Sequence, residues 1–345
     1  MRVEELGYEL PEELIAQRPL EERDGARLCV VDRAREDVRH ETVRALPGLL
    51  SPALLVVNDT RVIPARLHGV KATGGKVEIL LVERLSAPGR TERWVAIGRA
   101  SKGLSPGTEM ELAGGAIAAR IDARGEHGGV EVSLEADDAI DHVLARVGEV
   151  PLPPYIRRRP EDADSERYQT VFAERPGAIA APTAGLHLSH RLIGELEATG
   201  HRIARVTLHV GPGTFAPVKS ETLEDHRMHP ERYAVPEATS RAIAEARRER
   251  RAVVAVGTTV VRVLESAAAD DGTVAPGSGQ TTLFVCPPFR FRAVDALVTN
   301  FHLPRSTLLA LVMAFGGVSL VRRAYEDAVR ARYRFFSYGD AMLLR

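Results

Sequence analysis

The sequence predicts an α/β fold: a main α/β domain with a mostly parallel or mixed sheet, plus an inserted small β-barrel. Three observations lead there. In the second half, strand-like apolar runs alternate with helix-like ones, the pattern of an α/β layer. Between residues 66 and 134 the texture changes to short alternating runs split by glycine pairs, which suits a small barrel or sandwich. At 345 residues the chain is also long for one core. The expected division is a main domain of residues 1–65 and 148–345 and an inserted barrel-like domain of residues 66–147.

The elements follow in order. Residues 10–15 read as a short helix with Pro11 in its first turn. Residues 28–32 and 54–57 are apolar runs of buried-strand type, the second ending in the polar tip Asn58-Asp59-Thr60-Arg61. In the inserted block, residues 77–82, 94–97, 116–121 and 130–134 read as strands, with Gly74-Gly75, Gly114-Gly115 and Gly128-Gly129 as turns. A helix over 136–147 stops at Gly148, and the proline-rich linker 150–155 is stiff and extended. Beyond it, residues 177–181 read as a small-residue strand, followed by a helix with Leu188, Leu192, Ile193 and Leu196 on one face and Gly200 as its cap. Strand 203–210 runs into the loop that starts His209-Val210-Gly211-Pro212-Gly213. Helix 236–251, strand 252–256, the turn Gly257-Thr258-Thr259 and helix 260–265 come next. Strand 294–298 leads into Thr299-Asn300-Phe301-His302, then an apolar helix closed by Gly316-Gly317 and an amphipathic helix over 320–333.

The totals exclude some classes. A net charge of −1 supplies no general attraction for nucleic acid, so any RNA contact has to be a local patch. Of 46 basic residues only Lys71, Lys76, Lys102 and Lys219 are lysine. Cys29 and Cys286 sit in or beside apolar runs, which predicts free thiols and neither a disulfide framework nor a paired-cysteine zinc site. The N-terminal segment has no apolar signal core, and the run 308–315 is too short to span a bilayer. A cytoplasmic, membrane-free protein is expected.

Four predicted strand ends in the second half carry polar groups: 183–187, 209–214, 257–259 and 300–302. In a parallel sheet all four would share one edge, where open α/β sheets place ligands. The Gly257-Thr258-Thr259 turn would offer helix N-terminal N–H groups and hydroxyls to a carboxylate, a phosphate or sugar oxygens, or it is a plain helix cap. It lacks the dinucleotide and phosphate-loop glycine spacings. His187, His209, His226, His229 and His302 would permit a metal site, but their spacing is not that of a zinc protease and no thiolate accompanies them; no metal is expected. Histidine is equally the usual proton carrier near neutral pH. Of the arginine clusters, 157–159, beside Tyr155 and Tyr168, is the better candidate for a phosphate-backbone contact; the one at 247–251 reads as a solvated face.

The segments NDTRVIPARL (58–67), AAPTAGLH (180–187), VTLHVGPGTF (206–215), VGTT (256–259), TNFHLP (299–304) and YRFFSYGDAM (333–342) together resemble the S-adenosylmethionine:tRNA ribosyltransferase-isomerase family of queuosine biosynthesis. The resemblance covers essentially the whole chain in order. Leu188-Ser189, Cys286-Pro287-Pro288-Phe289 and Gly98-Arg99 depart from the family pattern, which leaves local contacts near them open. The resemblance implies an α/β domain with an inserted barrel. It further implies that the ribosyl group of S-adenosylmethionine is transferred to 7-aminomethyl-7-deazaguanine at the wobble position of a tRNA and isomerised to epoxyqueuosine, with release of adenine and methionine. S-adenosylmethionine is then a consumed co-substrate, with no permanently bound cofactor, and the protein is expected to act as a monomer.

Such a reaction needs a base, a group to protonate adenine and polar contacts to the ribose. The candidates for proton transfer are His187, His209 and His302, with Asp59 and Glu231 behind them. Expected substrate contacts are Arg61, Arg66, Thr183, Gly185, Gly211, Gly213, Thr214, Phe215, His226, His229, Thr258, Thr259, Asn300 and Tyr338, with Phe215 or Tyr338 stacking on the wobble base. Two rival classes stay open from sequence: a metal-dependent hydrolase on the same histidines, and a non-catalytic tRNA-binding module.

Overall fold

The structure, a computed structural model, describes residues 1–101, 103–125, 128–211, 220–228 and 230–345. β1 (Arg27–Asp32) and β2 (Asp37–Thr42) form an antiparallel hairpin, and the one-turn helix α1 (Leu46–Leu49) leads to β3 (Leu54–Asn58) and the short β4 (Thr60–Val62). Six strands follow: β5 (Arg66–Lys71), β6 (Lys76–Arg84), β7 (Thr91–Ala100), β8 (Glu109–Leu112), β9 (Ile117–Arg124) and β10 (Val130–Glu135), then helix α2 (Ile140–Val147). The chain continues through α3 (Asp164–Arg167), β11 (Arg175–Ala178), α4 (His190–Ala198), β12 (Arg202–Leu208), β13 (Glu231–Val235), α5 (Glu237–Arg248), β14 (Val253–Val256) and α6 (Thr258–Ala267). It ends with β15 (Gly277–Thr281), β16 (Ala296–Asn300), α7 (Thr307–Gly316), α8 (Val318–Arg330) and β17 (Ala341–Leu344).

Nine strands form one mixed sheet in the order β15-β13-β12-β3-β14-β16-β17-β1-β2. Its centre, β12, β3, β14 and β16, is parallel; β13 and β17 run antiparallel to their inner neighbours. β3, β14 and β16 are buried on both faces because both are covered, as parallel strands require, while β12 keeps Arg202 and Arg205 exposed. Alternation sorts the side chains. Leu54, Val56, Val253 and Ala255 face helices α5 to α8 through Ile243, Val260, Leu309 and Val321. Leu55, Val57, Val254 and Val256 face α1 and α4 through Leu46, Leu192 and Leu196. Helix α4 is capped by Ser189, whose hydroxyl accepts from the Leu192 N–H at 3.1 Å.

The expected barrel is present as a closed ring, β10-β7-β6-β5-β8-β9. Every second residue points inward: Val77, Ile79 and Leu81 on β6, Ile117, Ala119 and Ile121 on β9, and Val130, Val132 and Leu134 on β10. Ile140, Val143 and Leu144 of α2 join the same core. The two chain crossings between barrel and sheet lie side by side, since Arg66 and Glu149 exchange backbone hydrogen bonds of 3.1 and 2.9 Å.

One strand expectation is corrected. Residues 177–181 do not enter the main sheet; β11 pairs in parallel with β4 as a separate two-stranded sheet. Pro176 has no N–H for a central ladder, so the segment takes only the edge of β4. Among the described residues no single helix is long and apolar enough to cross a membrane; α7 and α8 meet at 116°.

Candidate functional site

The registers bring the C-terminal tips of β3, β12, β14 and β16 to one edge of the sheet, together with the start of β17, where Ala341 lies opposite Asn300. Residues 183–187, the fourth expected tip, reach that edge as a 3-10 turn packed against β16. The polar ends therefore do meet, three as strand tips and one as a loop laid across them.

At the β14 tip, Gly257 turns the chain directly into α6. Its φ of 104° is open to glycine and strained for other residues, so the helix can begin at Thr258 without an intervening loop. The first N–H groups of a helix have no carbonyl partner within it, and the positive end of its dipole lies there. Thr259 is only 6% exposed, yet its hydroxyl has no partner among the described residues.

On the neighbouring β16 tip, the Asn300 Nδ2 amide donates to His187 Nε2 at 3.1 Å and to the Phe336 carbonyl at 3.0 Å. Both amide hydrogens are thereby used, and the buried Oδ1 is left without a partner among the described residues. His302 holds its Nε2 2.8 Å from the Thr299 hydroxyl, and its backbone N–H donates to the Tyr325 hydroxyl at 3.0 Å. Burial pushes the His302 ring down to about 3. Burial, helped by the charges of Arg334 and Arg23 and opposed by Asp340, takes His187 down to about 4. Both imidazoles are neutral near pH 7.

Thr183, Thr258, Thr259, Asn300, His302, Ser306 and Ser337 border a cleft with about 620 Å³ of empty space, its open mouth included. None of its described lining residues is Asp, Glu, Lys or Arg. A second, smaller cleft of about 310 Å³ adjoins it, bordered by His187, Tyr338, Arg23 and Arg167; Ser337 borders both. The Asn300–His187 bond crosses the wall between them. Asn300's free acceptor and Thr259's free hydroxyl together suit a neutral polar ligand such as a sugar or a nucleobase.

His209 and Asp59 form a neighbouring group at the tips of β12 and β3. His209 Nδ1 lies 2.8 Å from the Thr60 hydroxyl, and the ring packs so closely on Gly177 that a Cβ there would fall 2.9 Å from it. Burial lowers the His209 pKa while Asp59 opposes the shift. Buried Asp59 accepts from the Thr207 hydroxyl at 2.6 Å and faces Arg175 at 3.6 Å. Of this group only the adjoining Val210 borders the main cleft.

Glu231 stands apart from a free carboxylate. One oxygen accepts from the Gly211 N–H at 2.9 Å, and the other meets Arg262 in an ion pair whose side chains are 4% and 3% exposed. It ties α6 to the start of the loop after β12. Among the remaining candidates, Arg61 is exposed on β4, and Arg66 is engaged at the barrel neck by Glu78 at 3.5 Å and the Leu152 carbonyl at 3.2 Å. Gly185 is buried against Thr170, and His226 packs edge-on against Phe284 at 5.1 Å. Gly213, Thr214, Phe215 and His229 lie outside the described residues. Tyr338 is buried, its hydroxyl donating to Asp164 at 2.8 Å, so its ring is not presented for stacking. Asp164 also takes both terminal nitrogens of Arg158, at 2.5 and 2.7 Å, and Arg157 pairs with Glu12 at 3.0 Å. The cluster expected to meet phosphate is therefore largely committed within the protein. Among the described residues no three His, Cys, Asp or Glu side chains converge as metal ligands.

A family model described as queuosine biosynthesis protein matches residues 3–344. The chain belongs to this family. A relative from Geobacter metallireducens, named S-adenosylmethionine:tRNA ribosyltransferase-isomerase, is 53% identical over 345 residues, which cover 100% of both chains. One of the same name from an Anaeromyxobacter species is 55% identical over 346 residues, covering 100% of this chain and 99% of its own. A crystal structure of S-adenosylmethionine tRNA ribosyltransferase from Thermotoga maritima is similar with a TM-score of 0.57 and 38% identity, over 99% of this chain and 100% of that one. Within this queuosine biosynthesis fold, sequence reasoning missed Ser306, Ser337, Arg23, Arg167 and Arg262. Two carried a signal: Ser306 precedes an apolar helix and caps it, and Arg262 is a single charge in the otherwise apolar run 260–264.

Proposed function

We propose that this chain transfers and isomerises the ribosyl moiety of S-adenosylmethionine onto 7-aminomethyl-7-deazaguanine at the wobble position of tRNA. The products are epoxyqueuosine-tRNA, adenine and methionine. The observation that carries this reading is the main cleft itself, with two buried, unpartnered polar atoms at its wall in a chain that aligns end to end with enzymes of that name.

The sulfonium of S-adenosylmethionine acidifies the neighbouring ribose carbon. Loss of that proton starts expulsion of adenine, and the aminomethyl group attacks the sugar. His302 is the leading base within the main cleft: with Nε2 held by Thr299, Nδ1 is the nitrogen left for a ligand. With Nε2–H donating to the Thr299 hydroxyl, the neutral ring accepts a proton at Nδ1. Asn300 Oδ1 and the Thr259 hydroxyl are assigned to the ribose or the adenine edge, with Thr183 and Thr258 beside them. His187 orients Asn300 from behind. His209 and Asp59 are assigned to the adjoining wall, where the wobble nucleotide enters, and Glu231 anchors the loop of Gly211. The proposed division is residues 1–65 and 148–345 for the reacting domain and 66–147 for the barrel. S-adenosylmethionine is consumed rather than retained, the unit is a monomer, and the compartment is the cytoplasm, where both substrates are present.

The test is adenine release from S-adenosylmethionine with an anticodon stem-loop carrying the deazaguanine. Release should require that base and fall sharply in His302→Ala. Equal release by His302→Ala removes His302 from the chemistry. Loss of activity on chelation would favour a metal-dependent hydrolase, and tight salt-dependent tRNA binding without release would favour a binding module.

A further inference from the structure

The second cleft carries a charge arrangement that the proposed chemistry has not used. Arg23 and Arg167 come from segments 144 positions apart in sequence and border one small cavity with His187. Neither guanidinium forms an ion pair with a described residue. Among the described residues Arg23 donates only to backbone carbonyls, of Leu186 at 3.5 Å and Glu166 at 3.1 Å. Arg167 likewise donates to the carbonyls of Glu21 and Leu20, and its buried Nε has no partner among the described residues.

The surroundings do not neutralise this pair. Asp340, the buried carboxylate that acts on His187, is paired with Arg27 at 3.0 Å and also accepts from the Arg27 and Arg334 backbone N–H groups. Glu166 acts on Arg23 only at a distance, its side chain exposed. Burial and then the charge of Arg167 hold Arg23 below the usual arginine range, with Glu166 opposing the shift. Two guanidiniums left in one cleft without a carboxylate are the arrangement that binds oxyanions.

We propose that the second cleft is an oxyanion seat in which Arg23 and Arg167 hold a carboxylate or phosphate of a substrate. The proposal rests on the reaction proposed above. The main cleft has no charged residue among its described lining and offers an anionic group only the N-terminus of α6, whereas the adjoining cavity offers two cations. Ser337 borders both cavities, and the Asn300–His187 hydrogen bond of 3.1 Å spans the wall between them. The two cavities therefore share a wall. Two groups of the right chemistry exist in the reaction: the methionyl carboxylate of S-adenosylmethionine and a backbone phosphate of the tRNA.

The full-length protein is tested as Arg23→Gln, Arg167→Gln, the double Gln variant, and the charge-keeping Arg23→Lys and Arg167→Lys. Dissociation constants for S-adenosylmethionine and for the modified stem-loop are measured over a salt series, with thermal midpoints as a fold control. Inorganic phosphate is the competing probe in the wild-type protein. The double Gln variant should bind one of the two substrates at least about tenfold more weakly, with substantial recovery in the Lys variants. Phosphate should compete with that substrate in the wild type and not in the double Gln variant. Weakening confined to S-adenosylmethionine assigns the seat to the methionyl carboxylate. Weakening confined to the stem-loop, with the log–log salt slope reduced by about one, assigns it to a phosphate. A folded double Gln variant that binds both substrates as the wild type does overturns the proposal. If that variant does not fold, absence of phosphate competition in the wild type overturns it. Adenine release by the wild type, measured on the same preparations, separates the two failures: its absence sinks the reaction, and its presence with unchanged binding sinks the seat alone.

Discussion

The Asn300 side-chain amide donates to His187 Nε2 at 3.1 Å across the wall that separates two clefts. One bond thus fixes two things. It sets the His187 proton on Nδ1, because Nε2 is accepting. With the bond to the Phe336 carbonyl, it also uses both amide hydrogens of Asn300, a residue that borders the main cleft, and leaves the buried Oδ1 without a partner among the described residues. Replacing Asn300 with Ala removes the donor to both His187 and the Phe336 carbonyl. The expected cost is about 1–3 kcal/mol in urea unfolding, since buried acceptors are left unmet. Adenine release should fall by more than that instability explains at temperatures where the variant is fully folded.

Thr259 offers the opposite signature. Its buried hydroxyl has no partner among the described residues, so the protein loses nothing by its removal. Thr259→Val should unfold at the same temperature as the wild type or higher, because an unmet polar group has been replaced by an apolar one. Binding of S-adenosylmethionine should weaken roughly tenfold, the worth of one good hydrogen bond. A stability gain paired with a binding loss marks a residue kept for its ligand.

The buried histidines predict a pH dependence of stability. Folded His187 and His302 titrate near 4 and 3, whereas an unfolded histidine titrates at about 6.5. Between those values the unfolded chain binds protons that the folded protein refuses, so stability falls as pH falls. Stability should be level above about pH 7 and drop from about 6.5 toward 4, by about 1.4 kcal/mol per pH unit for each ring in the steep region. Urea midpoints across this range check it, and His302→Asn should flatten the slope by one proton.

Glu231 and Arg262 form a buried pair, and such pairs respond asymmetrically. Glu231→Gln strands the Arg262 charge and should cost about 3–5 kcal/mol. A Glu231→Leu, Arg262→Met double variant should recover most of that stability. Activity measured in the recovered protein then tells whether the Glu231 carboxylate is needed beyond holding Gly211.

The central strands were legible because their apolar runs lack alternation, which marks burial on both faces: residues 28–32, 54–57 and 252–256 became β1, β3 and β14. The barrel was legible through its period of two and its glycine turns. Strands β2, β13 and β15 lay hidden because they are outer strands with mixed polar sequence; β15 reads Gly-Ser-Gly-Gln-Thr. β17 is four residues at the chain end and is defined by its partners rather than by its own pattern. The site was half legible. Polar residues at strand tips pointed to one edge, and Thr258, Thr259, Asn300 and His302 do meet there. That His209 turns to Thr60, that Glu231 is taken by Arg262, and that Arg23 faces Arg167 all depend on contacts between distant segments, which no local spacing encodes.

The central claim is that the ribosyl group of S-adenosylmethionine ends up on the wobble base. The direct measurement uses S-adenosylmethionine labelled in its ribose carbons, the wild-type protein and the modified anticodon stem-loop, followed by mass analysis of the wobble nucleoside. The account predicts that all the ribose label appears in that nucleoside, with one adenine and one methionine released for each base modified. Label remaining in soluble small molecules, or a wobble base that gains only a methyl group, would contradict it.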